Sequence, residues 1–202
     1  MRALLAMIVG WGGFAFAGEP PHHHHPESLP AAAAPTRGSL YQLEPALVDQ
    51  LGQPVALTVF KGRPVVISMF FASCTAVCPL LISDIHRLEA ALTPEERAQL
   101  GVVLVSFDGA RDGPAAFQAI LKRHDLDATR WRLTTASADD VRLLAAALGI
   151  RYTQLPDGSY VHSAVITLLN GQGEVAGRTE GILQPVEPLI EALRTTATQG
   201  EH

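Results

Sequence analysis

A chain of 202 residues has room for one ordinary domain or two small ones. Hydrophobic residues make up 48% of it and charged residues 17%, which suits a sizeable core and excludes a chain disordered throughout. Fifteen Lys+Arg against 20 Asp+Glu give a net charge of −5 with no basic block, so nucleic acid is excluded as a partner, because phosphate neutralisation needs a basic footprint. The two cysteines lie four positions apart, too few for a disulfide scaffold, and any interest in them is local chemistry.

Residues 1–17, MRALLAMIVGWGGFAFA, carry Arg2, an apolar stretch over residues 3–16 and an Ala15-Phe16-Ala17 cleavage pattern, the signature of a signal peptide. A membrane span needs about 20 strongly apolar residues, and this stretch is shorter and diluted by Gly10, Gly12 and Gly13. The expectation is an exported, periplasmic protein with no stable membrane anchor. The alternative is an uncleaved segment that tethers the chain to the inner membrane, facing the periplasm. Either way its thiols meet an oxidising compartment. Residues 18–39 hold Pro20, Pro21, Pro26, Pro30 and Pro35 around the run His22, His23, His24 and His25. Proline at that density prevents helix and sheet, so this is read as a flexible linker. Its imidazoles can gather a soft or borderline metal ion weakly.

The folded part is expected over residues 40–198, with a tail at 199–202. Residues 55–60 and 65–71 are β-branched and aromatic runs that predict strands, with Gly62-Arg63-Pro64 as the turn between them. From Pro79, the residues Leu81, Ile85, Leu88 and Leu92 recur at helical spacing, with Asp84, Arg87 and Glu89 between them. Residues 102–107 form an apolar run of buried-strand length. Helices are predicted over 114–124, where Phe117, Ile120 and Leu121 share a side, and over 137–148, opened by Ser137, Asp139 and Asp140 and closed by Gly149. Strands at 164–169 and 174–178 flank the hairpin turn Asn170-Gly171-Gln172-Gly173, and a last helix covers 185–197. Strand–helix alternation followed by a hairpin and a helix is an α/β sandwich in one domain. No apolar surface stretch demands a partner copy, so a monomer is the default.

The informative segment is Phe70-Phe71-Ala72-Ser73-Cys74-Thr75-Ala76-Val77-Cys78-Pro79, where a buried strand gives way to a helix. Pro79 suits the first helical position, which makes Cys78 the expected cap residue. Free N–H groups and the helix dipole at such a corner favour a thiolate, and the corner delivers both sulfurs to the sheet edge where ligands bind in open α/β folds. An inert disulfide pinning the corner is the bland alternative; it closes a very small loop and contributes little entropically. Two thiolates with no further cysteine fall short of a closed structural zinc site. Two Cys and one His form a soft, low-coordinate set that suits Cu(I), while the pair alone suits thiol–disulfide exchange.

Three histidines in the folded part compete as a third ligand. His86 lies off the apolar stripe of its helix and reads as a surface residue. His124 closes its helix after Phe117, Ile120 and Leu121, where a partly buried imidazole interacts with the C-terminal dipole. His162 follows the turn Leu155-Pro156-Asp157-Gly158 and precedes a central strand, a loop position where a partner for the corner is expected. Spacing alone leaves the choice open.

These residues also carry a family resemblance. Gly62-Arg63-Pro64-Val65-Val66 leading into Phe70-Phe71-Ala72-x-Cys74-x-x-x-Cys78-Pro79 resembles the Sco/SenC family of thioredoxin-like copper proteins. Ser106-Phe107-Asp108-Gly109-Ala110-Arg111-Asp112-Gly113-Pro114 is similar to its S-x-D-P-x-x-D-T-P segment, and Val161-His162-Ser163 with Asn170-x-x-Gly173-Glu174 resembles its D-H-S/T strand and D-x-x-G-E turn. The stretch 40–60, with Gly52, fits the family's opening. The resemblance implies a thioredoxin-like sandwich, a central mixed sheet flanked by helices, with an added β-hairpin. It implies that Cys74, Cys78 and His162 bind copper, with Cys74 and Cys78 also a redox pair. It further implies delivery of copper to the binuclear centre of cytochrome c oxidase, or reduction of that centre's cysteines, with the copper-bearing subunit or another copper or thiol client as partner. Thr75 and Ala76 stand where members commonly have proline and an acid, Gly109 where they have proline, and Val161 where they have an acid before the histidine. A thiol–disulfide oxidoreductase or redox sensor using Cys74 and Cys78 without tight copper binding is the alternative on the same scaffold. A non-catalytic interaction domain with a structural disulfide is the third reading.

Overall fold

The computed structural model describes residues 38–199. The expected signal peptide, the linker up to residue 37 and the end of the tail, residues 200–202, lie outside the described residues.

A single turn of 3-10 helix (Leu40–Leu43) leads into the two-residue strands β1 (Leu47–Val48) and β2 (Pro54–Val55), then a second 3-10 turn (Leu57–Phe60). The central unit follows as β3 (Val65–Phe70), α1 (Val77–Ala90), α2 (Pro94–Gln99), β4 (Gly101–Ser106), α3 (Pro114–Arg123) and β5 (Trp131–Ala136). The chain closes with α4 (Ala138–Ala147), β6 (Tyr152–Gln154), β7 (Tyr160–His162), β8 (Val165–Leu169), β9 (Val175–Glu180) and α5 (Glu187–Gln199). The main sheet runs β2-β1-β5-β4-β3-β8-β9, with β6 and β7 paired as a separate ribbon. β3, β4 and β5 are parallel, β8 joins β3 antiparallel, and β8 and β9 are antiparallel. All six residues of β3 and of β4 are buried, as expected of parallel strands covered on both faces. α4 packs on β5, α5 packs on β8 and β9, and α1 meets α5. The mixed, helix-flanked sandwich expected from the sequence is thus present, as is the added hairpin.

Several elements differ from the sequence expectation. Residues 55–60 are not one strand: pairing ends at Val55 and a 3-10 turn follows. Leu57 and Phe60 are buried while Thr58 and Val59 are exposed, a three-residue period that a strand does not give. The Phe60 ring fills the space over Gly101, where an added Cβ would lie 2.6 Å from it. α1 starts at Val77 with Ala76 as its cap residue, not Cys78. Proline is tolerated throughout a first helical turn, whose N–H groups have no intrahelical acceptor, so Pro79 did not mark the start. Two further elements were not predicted. β5 alternates over only Trp131, Arg132, Leu133 and Thr134, a short signal, and α2 buries no residue at all. A Thr93/Glu96 capping box holds α2 instead.

Candidate metal centre

β3 ends at Phe70, and the next six residues swing across the C-terminal edge of the sheet before α1 begins. This loop is pinned from below. The Ala72 N–H donates to the Asp112 carboxylate at 2.7 Å, and the Ser106 hydroxyl at the end of β4 donates to the same oxygen at 2.6 Å. Asp112 is buried, and burial raises its carboxyl above the ordinary carboxylate range against the pull of these donors.

The two thiols are free and unequal. Ala76 offers the helix no side-chain cap, and the Cys74 sulfur takes that place, accepting the Cys78 N–H at 3.3 Å. Partial burial works against ionisation of Cys74. The N–H and thiol of Cys78 and the N–H groups of Ala76 and Val77 outweigh it, and the thiol sits below its usual range. This is the positive end of a helix stabilising a thiolate. Cys78 is 4% exposed. Burial pushes its thiol far up, and the neighbouring Cys74 and Asp112 add to that.

His162 ends β7, one ribbon strand away from the main sheet. β8 runs antiparallel to β3, so the chain leaving His162 enters beside the end of β3 and brings the imidazole over the cysteine loop. The ring is held by aromatic neighbours, with Phe107 5.0 Å and Phe71 6.0 Å away between centroids. Phe107 in turn stacks on Tyr152 at 4.7 Å, and Tyr160 lies 5.4 Å from Phe71. Nδ1 faces the Ser163 carbonyl at 3.2 Å. A carbonyl only accepts, so Nδ1 carries the proton and the Nε2 lone pair points at Cys78 Sγ, 3.9 Å away. Burial keeps the ring below the ordinary histidine range, although the Ser163 carbonyl opposes it. Neutral imidazole is the form that ligates metals.

The donor atoms of Cys74, Cys78 and His162 lie within 4.8 Å of one another, and no other such cluster occurs among the described residues. One ion bound at about 2.0–2.3 Å by each of three in-plane donors separates them by roughly 4 Å, so the donors fit a shared ion with small adjustments. Two sulfurs and one nitrogen, with no carboxylate in the set, suit a soft ion of low coordination number. The site opens to solvent through a cavity of about 490 Å³ bordered by Cys74, Thr75, Arg111, Asp157, Val161 and His162.

The other two histidines are placed elsewhere. His86 is half-buried rather than a plain surface residue: its ring lies 5.4 Å from Trp131, Nε2 meets the His124 carbonyl at 3.2 Å, and Nδ1 faces Glu89 at 3.4 Å. His124 is half-buried at the end of α3, as expected, and burial, Arg123 and His86 hold it below the ordinary histidine range. The aromatic cage of Phe71, Phe107, Tyr152 and Tyr160 was not read from the sequence as part of the site, nor were Arg111 and Asp112 singled out. The only signal for the last two was the similarity of the segment 106–114.

A family model described as SCO1/SenC matches residues 34–198. A Stutzerimonas stutzeri protein provisionally named as copper-binding is 30% identical over 154 residues, covering 74% of this chain and 73% of that protein. Among solved structures, BsSco, described as a member of the Sco family of cytochrome c oxidase assembly proteins with a disulfide switch, aligns with a TM-score of 0.68. It is 20% identical, over 84% of this chain and 99% of its own. Arabidopsis thaliana ScoI with copper bound aligns with a TM-score of 0.65 at 17% identity, over 76% of this chain and 96% of its own. At these identities the two structures establish the thioredoxin-like fold. The family model, spanning most of the chain and reinforced by the bacterial relative, places the chain in the SCO1/SenC family.

Proposed function

We propose that this chain is an exported protein that holds Cu(I) on Cys74, Cys78 and His162 and delivers it to the copper-bearing subunit of cytochrome c oxidase. The observation that carries this reading is the convergence of two thiols and one oriented, neutral imidazole within 4.8 Å at the mouth of a cavity. The family, the copper-bound ScoI and the assembly role given for BsSco's family support it. Export rests on the residue pattern of the first 17 positions. No described helix is long and apolar enough to cross a membrane. Bound copper would supply the cargo itself, and the chain's residues would orient it: the Ser163 carbonyl fixes the imidazole tautomer, and the Asp112 carboxylate holds the cysteine loop.

A second reading is favoured by the inequality of the thiols. A half-buried sulfur held below the usual thiol range beside a buried one pushed above it suits thiol–disulfide exchange. A competitive Cu(I) titration of the reduced chain separates the two. The copper reading expects one ion per chain, and a loss of at least about tenfold in affinity on His162→Ala, the lower end for disturbing even an outer neighbour of a ligand. Binding too weak to compete, with a readily cycled Cys74–Cys78 disulfide, overturns it in favour of exchange.

A further inference from the structure

The three donors come from two pieces of chain that share no secondary-structure element. Cys74 and Cys78 sit on the loop after β3 and the first turn of α1, while His162 rides on the β6–β7 ribbon. A lone two-stranded ribbon is marginally stable, so its position over the cysteines depends on what grips it. At its base Tyr152 stacks on Phe107, and nearer the turn Tyr160 lies over Phe107 and against Phe71. Its tip, Leu155, Pro156 and Asp157, is exposed, and there the grip is Arg111. The Arg111 Nε donates to the Asp108 carboxylate, and its terminal nitrogen donates to the Gly158 carbonyl. Gly158 has φ +81°, and an added Cβ would meet the guanidinium at 3.0 Å, so the side chain is seated directly on the turn.

The anchor for this fork is itself buried. Asp108 is 3% exposed, its N–H donates to the Ser106 hydroxyl, and its carbonyl accepts the N–H groups of Arg111 and Asp112. Asp112, in the same turn, holds the cysteine loop through Ala72. One five-residue turn therefore grips both ligand-bearing pieces and sets the spacing between them. The pair is open to solvent on the arginine side only, 49% exposed against 3% for Asp108, so Arg111→Ala leaves a buried carboxylate without its partner and costs stability, whereas Arg111→Lys keeps a charge beside it.

We propose that Arg111 is a positioning residue for the metal centre: its guanidinium spans Asp108 and the Gly158 carbonyl and so sets the height of the His162 ribbon over Cys74 and Cys78. The inference rests on reading those three residues as ligands. A ribbon that is in place only part of the time lowers apparent affinity by the fraction of time it is competent. Removing the fork should cost about tenfold, within the range for changes beyond the ligands themselves. Lysine keeps the charge but cannot span two acceptors in a fixed fork.

The test uses the full reduced chain with Arg111→Ala, Arg111→Lys, His162→Ala and the Arg111→Ala/His162→Ala double variant. Two quantities are measured: Cu(I) affinity by competition, and backbone hydrogen exchange of the copper-free protein. The proposal expects both Arg111 variants to bind Cu(I) about tenfold more weakly, with the unfolding midpoint of Arg111→Lys unchanged and that of Arg111→Ala lowered by the unpaired Asp108. Arg111→Ala should add nothing further in the His162→Ala background. Exchange should quicken at Leu155, Gly158 and Ser163, whose N–H groups close the ribbon and its turn, while Ala72 stays protected. Wild-type affinity in Arg111→Lys would show that charge alone suffices and overturn the proposal. So would an undiminished loss in the His162→Ala background, or ribbon exchange that does not respond. If the unaltered chain fails to bind Cu(I), the ligand reading falls, and the exchange data still decide whether Arg111 holds the ribbon.

Discussion

The inequality of the thiols predicts which sulfur reacts first. In single-cysteine variants, Cys78→Ser leaves Cys74 alone and Cys74→Ser leaves Cys78 alone, and serine keeps a hydroxyl in each place. Cys74 is half-buried, borders the cavity and accepts the N–H groups that open α1. Cys78 is 4% exposed, with an upward shift caused first by its burial. One decade in thiolate population is about 1.4 kcal/mol, and burying a charge costs more than that even when one hydrogen bond is kept; restricted access acts in the same direction. Iodoacetamide at neutral pH should therefore alkylate Cys74 at least about tenfold faster than Cys78, followed by mass spectrometry of quenched samples. The Cys74 rate should level off below the usual thiol range as pH rises, while the Cys78 rate should still be climbing at the alkaline end. Equal rates, or a faster Cys78, would refute the assignment of Cys74 as the attacking sulfur.

Stability should depend on pH in part through His124, which is held below the ordinary range by burial first and by Arg123 and His86 next, with His162, also lowered by burial, acting in the same direction. The native state then binds fewer protons than the unfolded chain, so this stability is present above about pH 6.5 and declines as pH falls through the folded value. Urea unfolding of the metal-free protein between pH 7.5 and 5.5 should show that decline, and a His124→Gln variant with the same slope would refute the attribution. Gly101→Ala should cost about 1–3 kcal/mol by overpacking, because its Cβ would lie 2.6 Å from the Phe60 ring. A thermal scan showing no loss would mean that the ring swings aside freely.

Local patterning made much of the fold legible. Continuous apolar runs announced β3 and β4, and the spacing of Leu81, Ile85 and Leu88 announced α1. The helix face was misread where burial is decided from afar. Asp84 and Glu89 fall between the apolar positions of α1, yet both are buried. Asp84 accepts the Leu183 N–H, 99 positions away, and Glu89 accepts from Arg130 and from the Trp131 indole. A carboxylate that finds such partners can be buried, and no window of sequence contains the partners. Residues 55–60 were misread for a related reason, because Phe60 turns inward to cover Gly101 on a strand 41 positions later.

By itself the sequence determined the strand-to-helix corner that presents Cys74 and Cys78, since four-residue spacing at a helix start is local geometry. It also named His162, through a motif resemblance rather than through spacing. Tertiary structure alone decided that His162 faces those sulfurs, because its position follows from an antiparallel register between β8 and β3, about 100 positions apart, and from an aromatic cage drawn from the loops after β3 and β4 and from the β6–β7 ribbon. It likewise decided which thiol ionises: the two cysteines differ in burial and in the donors around them, and both are properties of packing that identical side chains do not carry in their sequence.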